Sequence, residues 1–370
     1  MFDMEKTLVL EHDGERAVIW ETPQIFSEND YGYDVLEKAL ERTEGPLKEW
    51  RRKKFLEYKE WGFPKWKRCS LDGMVLPELS FDYVDFDVDT SLLEKLDFEG
   101  SHRKFVLLGD TFFTDFRIYG DGKHLIRSED GVENVLVVVE KEAEIHRISK
   151  VRRFRNTVMR ILVKRNAALK FINVDLSGGF TFDNVFIVLE EGARLSMRDF
   201  RAFGHRKVGY VLVKKSKLSE TDMRSYFYQN GTGVTDLLYL MRFEGEEAEG
   251  RLKGNGVVDG SGKIVFRGIL DVKRGSKNIV AEEVEHTLIL SPEARMDAIP
   301  SLWVDENDVT ASHSASSSSL DENQLFYIMS RGIDEAEAKR LIVRGIFSDL
   351  LDELEESIRG DVEDVVNQIV

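Results

Sequence analysis

Hydrophobic and polar positions divide the chain into three stretches with different periods. Between Asp34 and Leu56, the residues Val35, Leu36, Ala39, Leu40, Leu47 and Trp50 recur at three- and four-residue spacings. That spacing stacks side chains on one helix face and predicts helix, with a break at Gly45-Pro46. Residues 1–95 are therefore read as a mostly helical N-terminal region. The aromatics of Phe55–Gly73 (FLEYKEWGFPKWKRCSLDG) are expected to pack on a neighbouring element. The stretch Phe81–Thr90 (FDYVDFDVDT) alternates apolar and acidic residues, as an edge strand with a solvated face would.

From about 105 to 310 the pattern changes. Short blocks of Val, Ile, Leu and Phe, punctuated by Gly, Asn and Asp, predict strands throughout. Val139, Ala143 and Ile145 share a spacing with Val163, Ala167, Leu169, with Leu189, Ala193, Leu195, and with Leu290, Ala294, Met296. The first three alanines lie 24 and 26 residues apart. A small residue at a turn between two inward-facing apolar residues, once per rung, is what a β-helix requires. A β-sandwich has a similar strand composition, so pattern alone leaves that architecture open. The core is placed at 96–315. Gly254–Gly262 (GNGVVDGSG) lacks the GxxxxGK[ST] spacing and precedes a strand-like KIVFRGIL, so it is read as a turn between rungs rather than a phosphate loop.

Residues 316–370 read as helical again. Leu320–Ser330 predicts a short helix stopped at Gly332. Asp334 followed by Glu337 has the capping-box spacing. A stripe of Ala338, Leu341, Ile342, Leu350, Leu351, Leu354 and Ile358 follows, and then Val362, Val365, Val366 and Ile369. Residues 321–370 hold 13 acidic and 5 basic side chains, half of the chain's net charge of −16. An acidic helical hairpin hung on a β body is either a partner-docking element or a cap on the solenoid.

Composition narrows the chemistry. A 370-residue chain with this charge is a poor non-specific ligand for nucleic acid. No apolar run approaches the ~18–20 residues of a membrane span. Met1–Glu15 (MFDMEKTLVLEHDGE) has no basic region followed by a long apolar stretch, so no secretory signal is expected. The single cysteine, Cys69, excludes an internal disulfide framework and any metal site built on several cysteines. It is expected to be a half-buried small hydrophobe, and the count suits a reducing cytoplasm. Seven histidines form no HExxH and no close pair, and no GxSxG elbow is present. The sequence makes no positive case for a self-contained enzyme. A secreted β-helix polysaccharide lyase or hydrolase would want aspartates on consecutive rungs, which the scattered acids do not supply.

In order and spacing, KIVFRG (Lys263–Gly268), HTLILSPEARMDAIPSL (His286–Leu302), DVTASHS (Asp308–Ser314), LDENQLFYIMSRG (Leu320–Gly332) and AKRLIVRGIF (Ala338–Phe347) resemble the SufB/SufD family of iron–sulfur cluster assembly proteins. WGFPKWKR (Trp61–Arg68) resembles that family's approach to its first strands more loosely. The resemblance implies a right-handed parallel β-helix core flanked by helical N- and C-terminal regions. It implies pairing through the β-helix, with a SufB-like subunit or with itself. It also implies docking of the SufC ATPase on the C-terminal helices, where Phe326, Arg331, Leu341, Arg344 and Phe347 are the candidate contacts. ATP would be hydrolysed on that partner, and a transient iron–sulfur cluster would be built and passed to recipient apo-proteins. His313 matches the family histidine at the subunit interface and is the candidate iron ligand. The SufB scaffold cysteine falls near Glu285-His286, where no thiol stands, so these two are the remaining candidate ligands there. Ser314 replaces the glutamate of the SufB branch. The serine run Ser316–Ser319 is expected to be a hinge or exposed turn. These departures imply a SufD-like subunit, or a related β-helix scaffold that no longer assembles clusters.

Overall fold

A computed structural model describes residues 5–12, 15–25, 30–66, 68–97 and 100–369, with side chains from Gln24 onward. The readings of Met1–Glu15 and Trp61–Arg68 therefore fall partly outside the described residues. The chain opens with an antiparallel hairpin, β1 (Glu5–His12) and β2 (Glu15–Ile25). Helices α1 (Tyr33–Glu41) and α2 (Pro46–Glu60) follow, separated where the sequence predicts a break. Gly45 adopts φ +64° there, and Pro46 opens α2, where a missing N–H costs nothing. The short β3 (Phe63–Pro64) pairs with β2. Helices α3 (Thr90–Lys95) and α4 (Arg103–Phe112) complete the region.

The N-terminal region is not mostly helical: a hairpin precedes α1, and the chain between β3 and α3 is largely irregular. Two further expectations change here. Phe81–Thr90 forms no strand: Val84 makes one isolated bridge to Thr43, and Asp89 caps α3 through the Ser91 N–H. Arg103–Phe112, inside the stretch read as β throughout, is a helix. Nearly all of α4 is buried, because α2 packs on one side and the β body on the other. Its residues do carry a helical period, so the sequence held this signal within a stretch read as strands for its apolar composition.

The body is a parallel β-helix. Its strands run β4 (Asp115–Tyr119), β5 (Gly122–Ser128), β6 (Gly131–Val139), β7 (Glu142–Ser149), β8 (Phe154–Val163), β9 (Ala168–Asp175), β10 (Phe180–Leu189), β11 (Arg194–Ala202), β12 (Arg206–Lys215), β13 (Glu220–Gln229), β14 (Val234–Phe243), β15 (Glu249–Val258), β16 (Lys263–Val272), β17 (Ile279–Ile289), β18 (Arg295–Ala298), β19 (Ser301–Val304) and β20 (Val309–Ser319). Alternate strands stack into two parallel sheets. The first holds β4 and the even strands to β18, with β19 also on β16; the second holds β5 and the odd strands to β17, ending on β20. A sandwich of antiparallel hairpins is thereby excluded.

The alanine repeat marks one corner of each rung. Asn166, Gly192, Leu218, Glu247 and Asn278 all adopt positive φ at the turn from the first sheet to the second. Each donates its N–H to a carbonyl of the next rung, as Asn166 does to Glu191 and Gly192 to Lys217. The residue after four of them is small and buried: Ala167, Ala193, Ser219 and Ala248. The Ala294 match keeps the spacing but lies at the opposite corner, between β17 and β18. Gly254 and Gly256 lie within β15, and only Asp259–Gly262 forms the turn.

Three apolar clusters hold the layers. One fills the interior between the sheets, from Ile126 to Ala294. A second joins the N-terminal helices to the outer face of the first sheet and includes the fully buried Cys69. The third seats α6 (Glu335–Glu353) and α7 (Glu356–Gln368) on the outer face of the second sheet. Between β20 and α6 lies α5 (Glu322–Met329), which has no buried residue.

Candidate functional site

The last rungs of the β-helix gather the features that invite chemistry. Alternation along β17 sends Ile279 and Ala281 into the interior cluster, and the same face carries Glu283, Glu285 and Thr287. Glu283 and Glu285 are each about 1% exposed. Neither Glu283 oxygen has a hydrogen-bond partner, and Glu285 Oε2 has none; Glu285 Oε1 accepts from the Thr287 hydroxyl. Burial, reinforced by the charge of Glu285, pushes Glu283 up to about 8, and burial pushes Glu285 up to about 7. Gly268 of β16 makes room for the pair, since a Cβ there would lie 1.8 Å from Glu283 Oε1. Ionised carboxylates inside a low-dielectric core are costly, and either a proton or a bound cation relieves that cost.

His313 stands beside them. In the parallel ladder of β17 and β20, its Cα pairs with Glu283, and Ala315 pairs with Glu285. His313 has the parity of Val309 and Ala311, which pack against the interior cluster. It is exposed because β20 is the last strand of its sheet. An imidazole nitrogen is a donor type that iron accepts, and here it sits at the open end of a rung lined by two buried acids. His286 goes elsewhere. Adjacent strand residues face opposite sides, so His286 lies on the outer face with Nδ1 3.0 Å from the Ser316 hydroxyl. Glu285 and His313 thus share a face, and His286 does not.

The serine run is not a hinge. Ser316–Ser319 completes an eleven-pair ladder with β17, so backbone pairing fixes a segment whose composition reads as linker. Glu283 was missed by sequence reasoning. The signal was available in its odd-numbered parity with Ile279 and Ala281, once β17 is known to be a strand.

The docking candidates sort by exposure. Phe326 is 73% exposed and Leu341 44% exposed, and Arg344 is exposed as well. Arg331 lies over the Tyr327 ring at 4.6 Å and bonds its hydroxyl. Phe347 differs: it is fully buried against Phe200, with ring centroids 5.7 Å apart. It seats α6 on the chain's own sheet and has no surface to offer a partner, which corrects the sequence-based expectation.

Residues 124–346, more than half of the chain, match the family model described as SUF system FeS cluster assembly, SufBD core domain. The chain belongs to the SufBD family. It is 39% identical over 127 residues to the iron–sulfur cluster assembly protein SufD of Bacillus subtilis (strain 168), covering 34% of this chain and 29% of that protein. It is 37% identical over 98 residues to a SufBD family iron–sulfur cluster assembly protein of Mycobacterium tuberculosis, covering 26% of this chain and 12% of the relative. A SufBD family protein of Staphylococcus haemolyticus is 27% identical over 231 residues, covering 60% of this chain and 43% of the relative. The alignments thus span less than half of these relatives' lengths. The SufBD core match ends inside α6 and so takes in β17, β20, His313 and α5. Among the described residues of this SufBD chain, the one thiol lies behind the first sheet, with its ionisation suppressed by burial.

Proposed function

We propose that this chain is a SufD-like subunit of an iron–sulfur cluster assembly complex in the cytoplasm, acting as a scaffold rather than a catalyst. The observation that carries the reading is the terminal rung: a histidine on an edge strand ready to accept another strand, in register with the buried Glu283 and on the same face as the buried Glu285, neither acid paired with a cation. Iron and sulfide are the cargo. Glu283, Glu285 and His313 supply hard and borderline ligands for iron, and the soft thiolate that sulfide transfer wants comes from a partner subunit. Pairing along β20, with a SufB-like subunit or with a second copy, brings that thiolate to the rung. Assembled clusters then pass to recipient apo-proteins.

The second half of the proposal concerns α5. A helix with Phe326 and Tyr327 exposed and no buried residue is incomplete by itself. Fully burying one such aromatic contributes about 1.5–3 kcal/mol, enough to anchor a docking SufC-type ATPase, on which ATP would be hydrolysed. The rest of the 316–370 region holds this anchor against the β body. Deleting it whole is a poor test, because α6 and α7 cover an apolar sheet face. Phe326→Glu and Leu341→Glu avoid that problem. Titration calorimetry with the ATPase should show binding weakened by about tenfold or more for Phe326→Glu, at about 1.4 kcal/mol per decade. Equal affinity for parent and variants would remove α5 as the dock.

A further inference from the structure

The structure assigns a second metal site to the seam between the β body and the C-terminal helices: His146 Nδ1 and the Glu355 carboxylate bind a divalent first-row ion, with Glu144 holding the ring. Among the described residues, Glu144, His146 and Glu355 are the group of three such side chains whose ligand atoms lie within 4.8 Å of one another. They come from separate parts of the fold. Glu144 and His146 lie on β7, and Glu355 lies in the bend between α6 and α7.

The imidazole of His146 is the central group of this cluster. The His146 side chain has no exposed surface, and Nε2 lies 2.7 Å from Glu144 Oε1. Glu144 is flanked by Lys123 and Lys170, so it is the carboxylate and Nε2–H is the donor. That leaves a lone pair on Nδ1, which is buried and has no hydrogen-bond partner. It faces Glu355 Oε2 at 3.7 Å. Two acceptors facing each other at this distance repel unless a cation or a proton lies between them. Ligand atoms each about 2.0–2.2 Å from a tetrahedral zinc ion lie about 3.3–3.6 Å apart, so the gap needs little adjustment. A carboxylate on the far ring nitrogen is the arrangement that fixes tautomer and orientation for metal binding. Lys123, half exposed, pairs with both Glu355 and Glu144 and is the resident competitor. Bound metal would pin the α6–α7 bend, and with it the helices leading to α5, onto the second sheet.

The test uses the full chain carrying His313→Ala, so that the terminal rung contributes no imidazole. Zinc is titrated by calorimetry, and thermal unfolding is followed with zinc and with a chelator. One ion should bind and raise the melting temperature. Binding should weaken by about tenfold or more in His146→Gln and in Glu355→Gln, and should tighten in Lys123→Ala. If His146→Gln fails to fold, Glu355→Gln at the surface bend gives the same reading. No binding, or binding untouched by either substitution, would overturn the assignment.

Discussion

Asp183 shows how this interior differs from an ordinary β-helix core. Its oxygens accept from Arg147 at 3.2 Å, Arg155 at 3.0 Å and Arg201 at 2.7 Å, with all four side chains buried. Burial alone pushes Asp183 up, but the three guanidinium groups hold it well below the usual carboxylate range. Removing one partner of a buried ion pair typically costs about 3–5 kcal/mol. Asp183→Asn should therefore lower stability by about that much in denaturant titration; a change below about 1 kcal/mol would show the network to be dispensable. Glu283 is the opposite case, a buried acid with no cation. Its folded value of about 8 lies above the unfolded value of about 4.3. The folded state thus holds a proton that the unfolded state has released, and stability falls as pH rises from about 4.3 to 8. Glu283→Gln should raise the melting temperature at pH 8 and leave it nearly unchanged at pH 5. Equal shifts at both values would contradict this account of the site. Neither arrangement was legible from charge counts. Both follow from parity, because Arg147, Arg155, Asp183, Arg201 and Glu283 all share the inward face with apolar neighbours on the same strands.

At the scale of elements, the strands, the alanine corners and the capped C-terminal helices could be read from local pattern. Asp334 does accept from the Glu337 N–H, as the capping-box spacing predicts. Misreadings fell where the local signal is short or where tertiary context overrides it. The helical period of α4 is present but short, at the start of an apolar stretch read as strands, and a neighbouring strand orders the serine-rich end of β20. That strand is also the element most open to association. It pairs with β17 on one side, is eleven residues long, and carries neither lysine nor proline, the residues that usually guard an edge. Ser312 and Ser314 are exposed on it. Ser312→Lys with Ser314→Lys should turn a paired species into a monomer by light scattering. If the mass does not change, subunit pairing does not run along β20.

Across the whole molecule, helices pack on both outer faces of the β-helix, and part of the second sheet, with Arg251 and Lys253, stays exposed. The N-terminal helices pack on the first sheet and α6 and α7 on the second, while β20 and α5 stay exposed. No helix among the described residues is long and apolar enough to cross a membrane. The fold was legible because each rung repeats a corner, whereas the site is not repeated and is completed only where the repeat stops. The central claim is that this last rung takes part in holding a cluster. It is tested most directly by anaerobic reconstitution with iron and sulfide in the presence of a cysteine-bearing SufB-type partner, comparing the parent chain with His313→Ala and Glu283→Gln. Iron and sulfide retained after desalting, together with the visible spectrum, should be high for the parent complex and fall severalfold in both variants while complex formation persists. Full retention of the cluster in both variants would contradict the account.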